Sequence, residues 1–339
     1  MEFPTLLSEQ MEQILDKPPK VSVVIATYNR LEYLRDALVS VLNQSFGDFE
    51  IIISDDASLV DIKGMIDEFD DSRIRYYRHE KNLGISANKA FVLAQAKGEF
   101  VASLDDDDAW EPTYLSSLIP VLIENPELIV AACDHYIMDA HGDIDLALSQ
   151  ENTRRWKRDQ MQEGIYKPFQ ELALINNSIC TASAAIIRRE MVPWQELEMV
   201  GVYWDMYLSY LLSRGGMGLY YSPQYLVRYR IHEQSETFVS GARNAQAKIR
   251  KGISDVTCHT AFLNDDRLIE LHSIFQKRLA HAQVTLGVGL LRDGQVNEAR
   301  LSIQRSFKNS VSLRALISFL LTFLPNQYSN YILQKLSES

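Results

Sequence analysis

Short apolar runs that alternate with segments of helical spacing constrain this chain more than any other feature. Val21–Thr27 is rich in β-branched residues, the pattern of a strand buried on both faces in a parallel sheet. Leu31–Leu42 then places Leu31, Leu34, Leu38, Val41 and Leu42 at the spacing of a one-sided helix. Further strands are predicted over 49–54, 74–77, 100–104 and 128–133. Helices are predicted over 86–96, closed by Gly98 as a C-terminal cap, and over 113–124. Strand and helix repeated in this order imply a mostly parallel sheet with helices on both faces. Ligands of such sheets sit outside the carboxyl ends of the strands. Three loops lie there: 27–30, 55–58 and 105–108.

A chain of 339 residues can hold one full α/β domain and a smaller second unit. The expected division is an N-terminal segment 1–19 with one short helix over 6–15, an α/β domain over 20–240, and a helical subdomain over 241–339. Within the last, 268–291 and 296–307 read as helices around the turn Arg292-Asp293-Gly294. Their small/large pattern is that of a single tetratricopeptide-like hairpin; one copy makes no array, and a packed helical subdomain is the simpler reading.

The net charge of −11 argues against a nucleic-acid-binding surface, although Arg154, Arg155, Lys157 and Arg158 form a local basic patch. Cys133, Cys180 and Cys258 have neither disulfide-framework nor metal-finger spacing and read as reduced thiols. No basic, then apolar leader precedes the first strand, and no apolar run reaches the roughly 18 residues of a membrane span. The expected setting is the cytoplasm, with peripheral contact at the inner membrane face as the membrane option. For that option, 313–324 and 328–336 with Arg314 and Lys335 offer an apolar, partly basic surface. Burial of the same surface against the larger domain, or against a second subunit in a homo-oligomer, is the simpler expectation.

The strongest chemical signal is Asp105-Asp106-Asp107-Asp108, directly after an apolar strand. Four adjacent carboxylates repel one another and need a compensating cation or full solvation. Hard oxygen ligands suit Mg²⁺ or Mn²⁺, held by carboxylates together with substrate phosphates. A solvated acidic turn, with Asp108 capping the helix that follows, is the plain alternative. In the second loop, Asp55 and Asp56 at a strand's carboxyl end can accept hydrogen bonds from a base or ribose, or can close a turn. In the first, Tyr28 can stack on a base while Asn29 favours the turn. Neither GxGxxG nor GxxxxGK[ST] occurs, so dinucleotide and P-loop readings lack their glycines.

Taken in order, the stretches 21–30, 44–50, 54–58, 82–84, 97–100 and 104–112 resemble the family 2 glycosyltransferases of the GT-A fold, over about residues 20–235. The resemblance implies a GT-A, Rossmann-like α/β domain followed by the α-helical subdomain. It implies transfer of a sugar, with inversion, from a nucleoside-diphosphate sugar to an acceptor hydroxyl of a glycan or lipid-linked glycan. UDP is the default carrier, and bacterial surface polysaccharide synthesis is the setting that analogy suggests. Ala26 and Tyr28 would line the base pocket, Asp55 would read the base edge, and Asn82 and Gly84 would lie near the donor. Asp105 to Asp107 would stand at the family's Asp-x-Asp motif. Asp107 would ligate Mn²⁺ or Mg²⁺ directly, and Asp105 or Asp106 would contact the ribose or reach the metal through water. Ala90 departs from the Asn that many relatives carry there.

Downstream, the family's general base is an acidic residue at the start of a helix. Matched on its apolar positions, 204–208 puts Tyr203 at that place, yet Asp205 is the sole carboxylate between Glu198 and Glu233. Asp205 is therefore the candidate base, against the plain reading of a helix N-terminal acid. His232 can touch the metal or diphosphate, or serve as a structural hydrogen-bonder; Trp194 and Trp204 can stack on a sugar or pack in the core. Two other readings remain at this point: a nucleotidyltransferase, and a non-catalytic helical interaction protein with a degenerate donor site.

Overall fold

The computed structural model describes residues 18–179, 182–198, 200–233 and 244–336; the helix expected over 6–15 and Cys180 lie outside them. The leading half follows the predicted alternation: β1 Val21–Thr27, α1 Leu31–Leu42, β2 Phe49–Asp55, α2 Ile62–Asp67, β3 Ile74–Arg78, α3 Ile85–Ala94 and β4 Phe100–Asp105. The chain continues through β5 Ala109–Trp110, α4 Tyr114–Glu124, β6 Leu128–Met138, β7 Ile144–Asp145, α5 Leu146–Arg155 and β8 Gly164–Tyr166. Then come β9 Ala185–Arg188, α6 Trp204–Ser213, β10 Gly218–Arg230, and five helices: α7 Ala245–Leu263, α8 His272–Arg292, α9 Val296–Asn309, α10 Leu313–Leu321 and α11 Asn326–Leu336.

The strands form one sheet in the order β3-β2-β1-β4-β9-β6-β10-β5, with β7 on β6 and β8 on β10. The long ladders, β1 with β2 and β4, β2 with β3, and β6 with β10, are parallel. Short β9 lies antiparallel between β4 and β6. Four residues bounded by irregular chain gave no readable strand period, so this insertion escapes sequence analysis.

Alternation along the strands divides the core. Val21, Val23, Ile25, Ile51 and Ile53 pack with Leu34, Leu38 and Val41 of α1 and Leu115, Leu118 and Leu122 of α4. Val24, Ile52, Val101 and Val130 face the other way, toward α3, α6 and the aromatics Phe262 and Phe275 of α7 and α8. A period of two in the strands and of 3.6 in the helices makes both layers possible. The distal helices share a smaller cluster around Val284, Leu291, Ala299 and Leu321. Among the described residues, no helix is long and apolar enough to cross a membrane.

Three local expectations are corrected. Gly98 is not the cap of α3, which ends at Ala94 with Gln95 as its C-cap. A Cβ on Gly98 would meet the backbone nitrogen of Ser22 at 2.5 Å, so this glycine permits close approach of two chain segments. Asp108 does not cap α4, whose N-cap is Thr113. The basic patch is broken: Arg158 is buried and paired with Asp134 at 2.9 Å, leaving Arg154 and Arg155 on α5 beside Lys157.

Candidate functional site

The three loops converge at the carboxyl ends of β1, β2 and β4. Asn29 adopts a left-handed φ of 57°, and Ala57 one of 62°. Asn tolerates this region better than most residues. The turn lets the Asn29 N–H donate to Ser58 Oγ at 2.8 Å, while Asn29 Oδ1 accepts from the Leu59 N–H at 2.7 Å. Asp56 accepts from the Leu83 and Gly84 N–H groups at 2.7 and 3.0 Å, tying the Asn82–Gly84 turn to the second loop. Tyr28 stands 45% exposed at the rim, beside half-buried Ala26. The Asp55 carboxylate is buried; it accepts from the Ser58 N–H at 2.8 Å and from the Tyr76 hydroxyl at 2.7 Å. A cavity of about 210 Å³ opens beside it, lined by Tyr76, Arg78, Val60 and Lys63.

The acidic loop is neutralised from within the protein. Arg30, from the first loop, donates to Asp106 at 2.9 Å and to Asp107 at 2.7 Å. Lys89, buried on α3, reaches Asp105 at 2.7 Å and lies 4.9 Å from the Trp204 ring centre. His232 Nε2 is 3.0 Å from Asp107 Oδ2. Arg230 supports the loop's backbone, its Nε donating to the Asp107 carbonyl at 2.8 Å and its own N–H to Asp108 Oδ1 at 3.0 Å.

Burial sets the protonation pattern. Desolvation pushes Asp106 up to about 6, with Arg30 opposing and Asp107 adding to the rise. Asp107 is also desolvated, but the His232 hydrogen bond and the Arg30 charge outweigh that and hold it below the usual carboxylate range. Desolvation, aided by the neighbouring charges of Asp107 and Asp105, drives Asp108 well upward. Asp205, in the first turn of α6, is raised to about 7, chiefly by burial and further by the charge of Asp105, against the Met206 N–H and Lys89. That influence brings the predicted base into the electrostatic field of the acidic loop.

Asp105, Asp107 and Asp108 each offer a carboxylate oxygen, all within 4.8 Å of one another. Among the described residues, Asp108 Oδ2 is buried with no hydrogen-bond partner. Three hard oxygen donors, one unsatisfied, fit a divalent cation. Of the expected ligands, Asp105 and Asp107 belong to this set. His232 sits against Asp107, with its Nε2 placed to orient that carboxylate.

The residues that sequence reasoning left out are Arg30, Lys89 and Arg230. Arg30 stood in the turn already singled out, and a lone lysine in the apolar stretch of α3 was the signal for Lys89. Trp194 and Trp204 are buried, which favours packing over sugar stacking.

Comparison with known proteins agrees with this geometry. The family model for glycosyl transferase family 2 matches residues 22–193. A GalNAc(5)-diNAcBac-PP-undecaprenol beta-1,3-glucosyltransferase of Campylobacter jejuni is 44% identical over 134 residues, which is 39% of this chain and 42% of that enzyme. The match thus spans less than half of that relative's length. The putative glycosyltransferase EpsH of Bacillus subtilis is 26% identical over 74% of this chain and 71% of its own. Among solved structures, S. aureus TarS 1-349 in complex with UDP-GlcNAc superposes with a TM-score of 0.63 at 17% identity, covering 93% of this chain and 92% of that one. The mannosyltransferase PcManGT of Pyrobaculum calidifontis, in complex with GDP-Man and Mn2+, gives 0.54 at 15% identity over 93% of this chain and 85% of that one. Those two likenesses concern the fold, and it is the GT-A glycosyltransferase fold. Family match and fold favour the glycosyltransferase reading over a nucleotidyltransferase or a non-catalytic protein, and the chain belongs to glycosyl transferase family 2.

Proposed function

We propose that this enzyme transfers a sugar from a nucleoside-diphosphate sugar, with UDP as the first carrier to test, to an acceptor hydroxyl on a glycan or lipid-linked glycan, inverting the anomeric centre. The observation that carries the reading is the cluster of Asp105, Asp107 and Asp108, whose carboxylate oxygens lie within 4.8 Å of one another, with Asp205, a half-buried acid raised to about 7, in the field of Asp105. A base poised near neutral pH suits removal of an acceptor proton. Asp105, Asp107 and Asp108 would hold Mn²⁺ or Mg²⁺, which supplies Lewis-acid neutralisation of the leaving diphosphate. The remaining roles fall to this chain's residues. Tyr28 and Ala26 flank the base, and Asp55 reads its edge by exchanging the Tyr76 hydroxyl for a base N–H. Asn82 and Gly84 border the donor, and Asp105 and Asp106 bear on the ribose. Asp205 takes the acceptor proton as the hydroxyl attacks the face opposite the diphosphate, a single displacement that inverts. Residues 20–240 form the catalytic domain in this reading and 241–339 the helical subdomain.

The lipid-linked acceptor is supported by the name of the Campylobacter relative. The test is calorimetric titration of UDP with and without Mn²⁺, on wild type and Asp107→Ala. Metal-dependent binding that the substitution abolishes is expected; metal-independent binding unchanged by it would remove the acidic loop from the donor site.

A further inference from the structure

Helix α10 turns three leucines outward. Its inward positions are Ala315, Ser318 and Leu321, followed by Thr322, all buried. Its outward stripe is Leu313, Leu316 and Leu320, and Phe323 follows just past the helix, the least exposed of the four at 45% and the most at 73%. A helix packed only on its own protein puts its large apolar residues inward; α10 packs Ile317 and Leu321 inward but leaves three leucines outward. Tyr328 and Tyr331 of α11 add two rings exposed at 58% and 61%.

The charge of the segment that carries this stripe opposes that of the chain as a whole. Residues 296–336 carry Arg300, Arg305, Lys308, Arg314 and Lys335 against Glu298 alone, in a chain of net charge −11. The Arg300 guanidinium lies 4.4 Å from the Phe323 ring centre, and Arg314 is held by His281 and Thr285 at the start of the stripe. Arg305, Lys308, Arg314 and Lys335 are exposed.

We propose that α9 to α11 seat this enzyme on the interface of a bilayer containing anionic lipid. Leucine and phenylalanine would enter the headgroup–acyl boundary, tyrosines would lie at headgroup level, and the basic side chains would meet lipid phosphates. A second copy fits less well, because a two-fold interface sets each patch against itself and faces cations with cations. The proposal uses no donor-site residue and stands apart from the choice of sugar or carrier.

The test is flotation of the full chain with vesicles of phosphatidylcholine alone, or of phosphatidylcholine with an equal share of phosphatidylglycerol. The protein is expected to float with the anionic vesicles and to be released by salt. The double substitution Leu313→Glu, Leu320→Glu should weaken partitioning by at least about tenfold. Its melting temperature should match wild type, since both positions are exposed, and UDP titration reports separately on the donor reading. No flotation of wild type on anionic vesicles, or undiminished flotation of the variant, overturns the proposal. So does a wild-type dimer that the substitutions convert to monomer, which would assign the face to a second copy.

Discussion

Arg30→Met tests whether the protein's own cation holds the acidic loop together before a metal arrives. Arg30 contacts Asp106 and Asp107 at 2.9 and 2.7 Å, and its side chain is 22% exposed. Each pair has a gross attraction of about 4 kcal/mol at a charge separation near 4 Å and an effective dielectric of about 20. Desolvation of the guanidinium offsets much of this, and so does the ease with which Asp106, already pushed up to about 6, takes a proton. The expected net loss in the metal-free protein is about 2 kcal/mol, a fall in melting temperature of about 4 °C. Mn²⁺ replaces the missing charge, so the variant should regain stability when loaded and should bind Mn²⁺ up to about thirtyfold tighter than wild type. Scanning fluorimetry with and without Mn²⁺, and calorimetric titration of Mn²⁺ alone, measure both effects. An equal fall in melting temperature in both states, with unchanged Mn²⁺ affinity, would refute the reasoning.

The base assignment predicts that kcat/KM rises tenfold per pH unit up to about 7 and then levels, because Asp205 must be ionised to accept a proton. Asp205→Asn should lower turnover about a thousandfold without changing UDP affinity; a pH limb that persists in this variant would assign it to another group. Gly98→Ala should lower stability by about 2 kcal/mol, because the new Cβ meets Ser22 and Val21 backbone; an unmoved urea midpoint would contradict the close approach. Arg158→Met should cost about 3–5 kcal/mol by stranding buried Asp134, and adding Asp134→Asn should restore part of it. Equal loss in the single and double variants would show that packing, not charge, governs that pair.

Sequence alone determined the local units and their order. Strands of β-branched residues and helices with one apolar stripe follow from side-chain shape and spacing within a few residues. The α1 stripe of Leu34, Leu38 and Val41 is therefore readable without any partner. The same logic put the three loops at the carboxyl ends of strands, and so found Asp55, the 105–108 carboxylates and Tyr28. What only the tertiary structure decided are the contacts between residues distant in sequence. Arg30 and Asp106 are 76 positions apart, and His232 and Asp107 are 125 apart. No period links such residues, and their meeting depends on sheet order, including the short antiparallel β9 that sequence could not reveal. The fate of the charged runs was likewise a tertiary matter. Whether Arg158 is solvated or buried, and whether four carboxylates repel or are neutralised, depends on which opposite charge the fold delivers within hydrogen-bonding distance.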